Sequence, residues 1–125
     1  MFFTYISVGC GGALGAIARV ALSRLLPATF IDMPIQILCI NVLGCLIMGL
    51  LAEGMALYWD VPENMRFFLV SGFLGGFTTF SAFALEFGLL VEKGHYFSAI
   101  SYATLSFVLS IVAFFSGVRV LRFWS

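Results

Sequence analysis

Four apolar runs, at residues 2–26, 34–58, 65–90 and 96–121, leave little of this 125-residue chain outside them. A membrane-spanning helix needs about 20 predominantly apolar residues, so each run is long enough to cross a bilayer. Composition agrees: 62% of residues are hydrophobic, 10% are charged and the mean hydropathy is +1.14. Soluble domains are about half apolar and about a quarter charged. The chain is therefore predicted to be an all-α membrane protein of four transmembrane helices, forming one domain over residues 1–125. Short links at 27–33, 59–64 and 91–95 set neighbouring helices antiparallel. No length remains for a soluble catalytic or nucleic-acid-binding domain, and zero net charge implies no polyanionic partner. The first run has no basic segment before it and carries its own arginine well inside. It reads as a retained span, not a cleaved signal.

The third run contains the stretch LVSGFLGGFTTFSAFALEFG, residues 69–88. Gly72, Gly75 and Gly76 weaken it as a helix, and Thr78, Thr79 and Ser81 bring hydroxyls to its middle. Phe77, Phe80, Phe83 and Phe87 add rings, and Glu86 a carboxylate. A loosened backbone persists within a bilayer only where it is buried in protein or lines a cavity. The third helix is predicted to break mid-membrane, and the break to be a functional core.

The other runs carry isolated polar side chains. Arg19 lies inside the first run, where it either snorkels to the interface or pairs with carbonyls or a carboxylate. Asn41 is the one polar side chain deep in the second run, and serves either packing or a pore lining. Glu53, near the far end of that run, is expected at the interface. Tyr102, Ser106 and Ser110 recur at i, i+4 and i+8, which puts three hydroxyls on one helix face. Gly11 with Gly15, Gly12 with Ala16, and Gly72 with Gly76 are small-xxx-small pairs that let helix backbones approach closely. Cys10, Cys39 and Cys45 fall in apolar runs without metal-ligand spacing and read as small packing residues.

Charge selects no orientation. Four spans put both termini and the 59–64 link on one side, with Arg66, Arg119 and Arg122; Arg24 and Lys93 lie on the other, joined by Arg19 if it snorkels outward. A chain without a positive-inside bias either depends on something else to insert or inserts both ways. The second option predicts an antiparallel dimer. The polar inventory is rich in donors and poor in mid-membrane carboxylates, which favours a small anion over a cation or proton. Ring edges, the positive part of the aromatic quadrupole, suit the same ion.

Three segments resemble a known family. GGFTTFSAFALE at residues 75–86 is similar to the GGxTTFSTFxxE signature of the Fluc (CrcB) fluoride channels. Residues 11–19, GGALGAIAR, resemble that family's GGxxGAxxR, and Asn41 with Gly44 matches its NxxG. The resemblance implies a fluoride-selective channel for passive export of cytosolic fluoride, lowering its toxicity, and no enzyme. It implies a multi-pass protein of a prokaryotic plasma (inner) membrane, acting as an antiparallel, dual-topology homodimer with two pores. On the matched residues, Asn41 becomes a pore donor and Phe80 and Phe83 present ring edges to fluoride, with Ser81 beside them. Tyr102, Ser106 and Ser110 become the hydroxyl track. Backbone carbonyls of Gly75 and Thr78 would hold a structural sodium ion at the dimer interface, and Arg19 and Glu86 fall at motif positions with structural or vestibule roles. The chain departs from the pattern at Ala82, where the family has threonine. Fold, sodium site and dimer are expected to survive this change, and throughput to fall. A small multidrug-type exporter would need a membrane-embedded carboxylate, and the first run offers only Arg19; a non-transporting scaffold would use the same glycines and serines for packing alone.

Overall fold

The computed structural model describes residues 1–27 and 33–123. Helix α1 spans Phe2–Ser23 and α2 spans Ile35–Leu57. The third run is in pieces: α3 (Glu63–Arg66), a π-helical stretch (Phe67–Leu74), α4 (Gly75–Phe77) and, after two extended residues, α5 (Phe80–Glu92). Helix α6 spans Tyr96–Phe123. Among the described residues, four helical spans are long and apolar enough to cross a membrane, the third covering Glu63–Glu92. The protein is thus an all-α, multi-pass membrane protein with a bent third helix.

Local chemistry sets the ends. Glu63 in the first turn of α3 complements the helix dipole, so the third span starts before residue 65. At its other end Gly94, with φ +80°, takes the left-handed conformation that a Cβ would oppose. Its N–H donates to the Val91 carbonyl (3.0 Å), and the His95 N–H donates to Leu90 (2.9 Å). This paired closure carries α5 to Glu92, past the expected residue 90. Helix α1 stops at Ser23, short of residue 26, because the Leu25 and Leu26 N–H groups turn back to the Leu22 and Ser23 carbonyls. The expected 27–33 link lies mostly outside the described residues.

The helices pack as two parallel pairs. Helix α1 lies along the π-helical stretch and α4, while α2 lies along α6; α5 rests on α6. Glycines set both close approaches. A Cβ on Gly15 would overlap the Phe73 carbonyl, and one on Gly76 would come within 2.5 Å of the Gly12 carbonyl. The small-residue faces read from the first and third runs therefore meet each other. Between α2 and α6, a Cβ on Gly49 would overlap the Phe114 carbonyl, and one on Gly117 would come within 2.5 Å of the Leu46 carbonyl. At such distances backbone contact supplies the association that hydrophobicity cannot supply in lipid.

Polar ties pin the same ends of each pair. Thr4 Oγ1 donates to Asn64 Oδ1 (3.1 Å), and Tyr58 OH to the Leu121 carbonyl (3.2 Å). Glu53, near the end of α2, is buried between helices, and its two carboxylate oxygens accept from Arg122 Nε and Nη2 at 3.2 Å each. The bidentate fork fits a planar guanidinium against a carboxylate. The interior is small. Leu38, Leu90, Ala99 and Tyr102 form its cluster, with Phe83 and Phe87 packed against it. Many large apolar side chains, such as Phe3, Phe97 and Phe107, are exposed, as spans surrounded by lipid require.

Candidate functional site

The bend is built by Thr78 and Thr79. Thr78 (φ −85°, ψ 156°) ends α4, and its N–H and Oγ1 both donate to the Leu74 carbonyl, at 2.9 and 2.8 Å. Thr79 (φ −153°, ψ 120°) caps α5, its Oγ1 accepting from the Ala82 N–H at 3.1 Å. In an uninterrupted α-helix the Thr79 N–H would reach the carbonyl four residues back, that of Gly75. It donates instead to Asn41 Oδ1 (2.9 Å), while Asn41 Nδ2 donates to the Thr79 carbonyl (3.0 Å). One side chain of α2 satisfies both backbone groups of an extended residue, which is what buried irregular backbone demands.

Gly44, one turn along α2, completes the seat. A Cβ there would collide with Thr78 Cγ2 and sit 3.4 Å from the Phe77 ring. The NxxG spacing thus has a physical meaning: Asn41 holds Thr79 and Gly44 makes room for Thr78, on one helix face.

Beside the bend runs a groove of about 530 Å³, walled by Asn41, Thr79, Phe80, Phe83, Ser106 and Ser110. All of its lining side chains are uncharged. The second Nδ2 hydrogen of Asn41 has no protein partner among the described residues, nor does the buried Ser106 hydroxyl. The Phe83 ring lies 5.5 Å from Phe80 and 5.1 Å from Tyr102, centroid to centroid. The groove walls hold neutral amide and hydroxyl groups and aromatic rings, with no fixed charge to trap a small guest.

The structure therefore brings Asn41, Phe80, Phe83, Ser106 and Ser110 together around one space. Tyr102 does not line the groove; it is fully buried against Phe83, its hydroxyl also without a partner among the described residues. Ser81 is exposed; its Oγ lies 3.3 Å from Thr79 Oγ1 and it does not line the groove. Arg19 is half-buried on α1 and Glu86 half-buried on α5, both away from the groove walls. Gly75 is still helical, the first residue of α4, and the chain becomes extended only at Thr78. Sequence reasoning named Thr79 only as a hydroxyl at the break, not as a helix cap, and missed Gly49 and Gly117. The TT pair signals a cap, and Ala113 with Gly117 is a small-xxx-small spacing that points to the α2–α6 contact.

Comparison with known proteins bears on this geometry. The family described as CrcB-like protein, Camphor Resistance (CrcB), matches residues 6–118. The chain is 39% identical to "Fluoride-specific ion channel FluC 1" of Nitrobacter hamburgensis over 127 aligned positions, covering 98% of each. It is 42% identical to the fluoride-specific ion channel FluC of Paracoccus denitrificans, covering 98% of this chain and 97% of that one. It is also 42% identical to FluC of Francisella tularensis subsp. mediasiatica, over 88% of both chains. The residues that build the bend, TTF at 78–80 and Asn41 with Gly44, lie within the matched region. With a match of this extent, and relatives of this identity along nearly their whole length, the chain belongs to the CrcB/FluC family.

Proposed function

We infer that this chain is a fluoride channel of the plasma membrane, passing the ion passively and catalysing no reaction. The observation that carries the reading is the uncharged groove, in which Asn41, Ser106 and Ser110 place donors opposite the rings of Phe80 and Phe83. Fluoride is small and strongly hydrated, so it enters only where several N–H and O–H groups replace water. Conduction also requires that each site bind weakly enough to release. Neutral donors meet both needs, and the relatives named as fluoride-specific ion channels support the choice of ion.

The functional unit is an antiparallel, dual-topology homodimer with two pores. The balanced basic residues at the two ends support this. Phe80 supports it too: it lines the groove yet is 79% exposed in the single chain, as a wall completed by a second copy would be. Tyr102, Ser106 and Ser110 continue the pathway, and Ser81, Arg19 and Glu86 serve outside the groove, at the bend or the vestibules.

The carbonyls of Gly75 and Thr78 fit a structural sodium ion. The N–H that an α-helix would send to the Gly75 carbonyl is taken by Asn41, and Thr78 is extended, so both oxygens lie where the helical ladder has stopped. Unwound carbonyls suit a small hard cation. Sodium supplies fixed positive charge at the bend when bound; Asn41, Thr79 and Gly44 hold the backbone there in position.

The test is efflux from proteoliposomes followed with a fluoride electrode, with chloride as the comparison ion. Fluoride is expected to leave while chloride stays. Efflux no faster than from protein-free liposomes would overturn the reading.

A further inference from the structure

One feature of the groove is unused by fluoride conduction. Cys45 and Met48 both line it, one helical turn apart on α2. Residues at i and i+3 share a helix face, so a thiol and a thioether lie on one face of α2, in a groove that Ser106 and Ser110 also line. The other cysteines do not share this setting: Cys10 and Cys39 are exposed and line no part of the groove. The Ser106 side chain is 8% exposed, and its buried hydroxyl has no partner among the described residues. No charged side chain lines the space to repel or attract a cation.

We propose that Cys45 and Met48 form a site for a soft monovalent cation of the silver(I) or copper(I) class, and that its occupation obstructs the groove. Thiolate and thioether sulfurs select such ions over hard ones. The step is a ligand exchange without redox change. The Cys45 S–H bond breaks, a sulfur–metal bond forms, and the proton passes to water, so the thiol is held as thiolate by the metal. Met48 sulfur donates a lone pair as second ligand. The metal–thiolate unit is neutral, and a soft ion has little affinity for fluoride, so the site narrows the path without offering fluoride a resting place.

The proposal rests on the channel reading, and the experiment separates the two. Full-length protein is reconstituted in chloride-free nitrate buffer, and fluoride efflux is recorded before and after addition of silver nitrate. Efflux before silver tests the channel reading alone. Silver stoichiometry on the purified protein, measured by native mass spectrometry, tests the site whether or not the protein conducts. In a Cys10→Ala, Cys39→Ala background, one silver ion per chain and block of efflux are expected. Adding Cys45→Ala is expected to abolish both, each variant being compared with its own silver-free rate. Met48→Leu, which keeps the thiol, is expected to weaken silver binding by about tenfold or more. Binding without block, no binding in that background, or block that persists after Cys45→Ala would each overturn the proposal.

Discussion

Asn41 on α2 and Thr79 at the bend are joined by two hydrogen bonds of opposite sense, Thr79 N–H to Oδ1 at 2.9 Å and Nδ2 to the Thr79 carbonyl at 3.0 Å. The amide is isosteric with a peptide group and replaces the helical partners that Thr79 has given up. Asn41→Asp keeps the acceptor but sets a second oxygen against the Thr79 carbonyl. The expected cost is about 1–3 kcal/mol of stability, read as a lowered melting temperature in detergent. Fluoride efflux is expected to fall about tenfold or more, since a kilocalorie-scale displacement of Phe80 and its donors is enough for that.

The two glycine contacts should separate from glycines that merely occur in helices. Gly15→Ala and Gly49→Ala each place a methyl on a neighbouring carbonyl, and each is expected to destabilise by about 1–3 kcal/mol. Gly9 and Gly88 have nothing within 4 Å of a Cβ, so Gly9→Ala and Gly88→Ala should leave the melting temperature unchanged or raised. Thermal melts of the four variants side by side check this.

Glu53 and Arg122 are unequal partners. The Glu53 side chain is 10% exposed and that of Arg122 is 63% exposed. Removing the cation strands a buried carboxylate, whereas removing the carboxylate leaves a guanidinium that is largely exposed. Arg122→Gln is therefore expected to lower the melting temperature more than Glu53→Gln does. Denaturation in detergent of the two variants, which are reciprocal in chemistry, should show that order.

Ala82 is half-buried and contributes its backbone N–H to the Thr79 cap; it does not line the groove. Ala82→Thr leaves that N–H in place, so the melting temperature should not move. Efflux is expected to rise with the added hydroxyl. Equal rates would remove that hydroxyl from any transport role.

The spans were legible because an apolar run must be helical in lipid, and the bend because Gly75, Gly76, Thr78 and Thr79 leave a helix little reason to continue. The meeting of Gly11 and Gly15 with Gly72 and Gly76 was foreshadowed by spacing alone. What the sequence did not disclose depends on distance through the fold. Nothing near Glu53 announces that its partner is Arg122, so it read as an interfacial charge. Asn41 read as either packing or pore, and the bend uses it for backbone satisfaction at a residue that also lines the groove. The π-helical stretch at Phe67–Leu74 has no local signal either. It lies along α1, where backbones approach closely, and π turns favour such functional places.

The pairing of α1 with the third span and α2 with α6 has a consequence for biogenesis. Thr4 meets Asn64 across 60 residues of chain, and Glu53 meets Arg122 across 69. During N-to-C synthesis the first two helices emerge before either mate has been made. The glycine contacts and the Glu53–Arg122 fork form only after the third and fourth spans have followed. Those contacts are internal to the subunit, so its assembly is late and nonlocal.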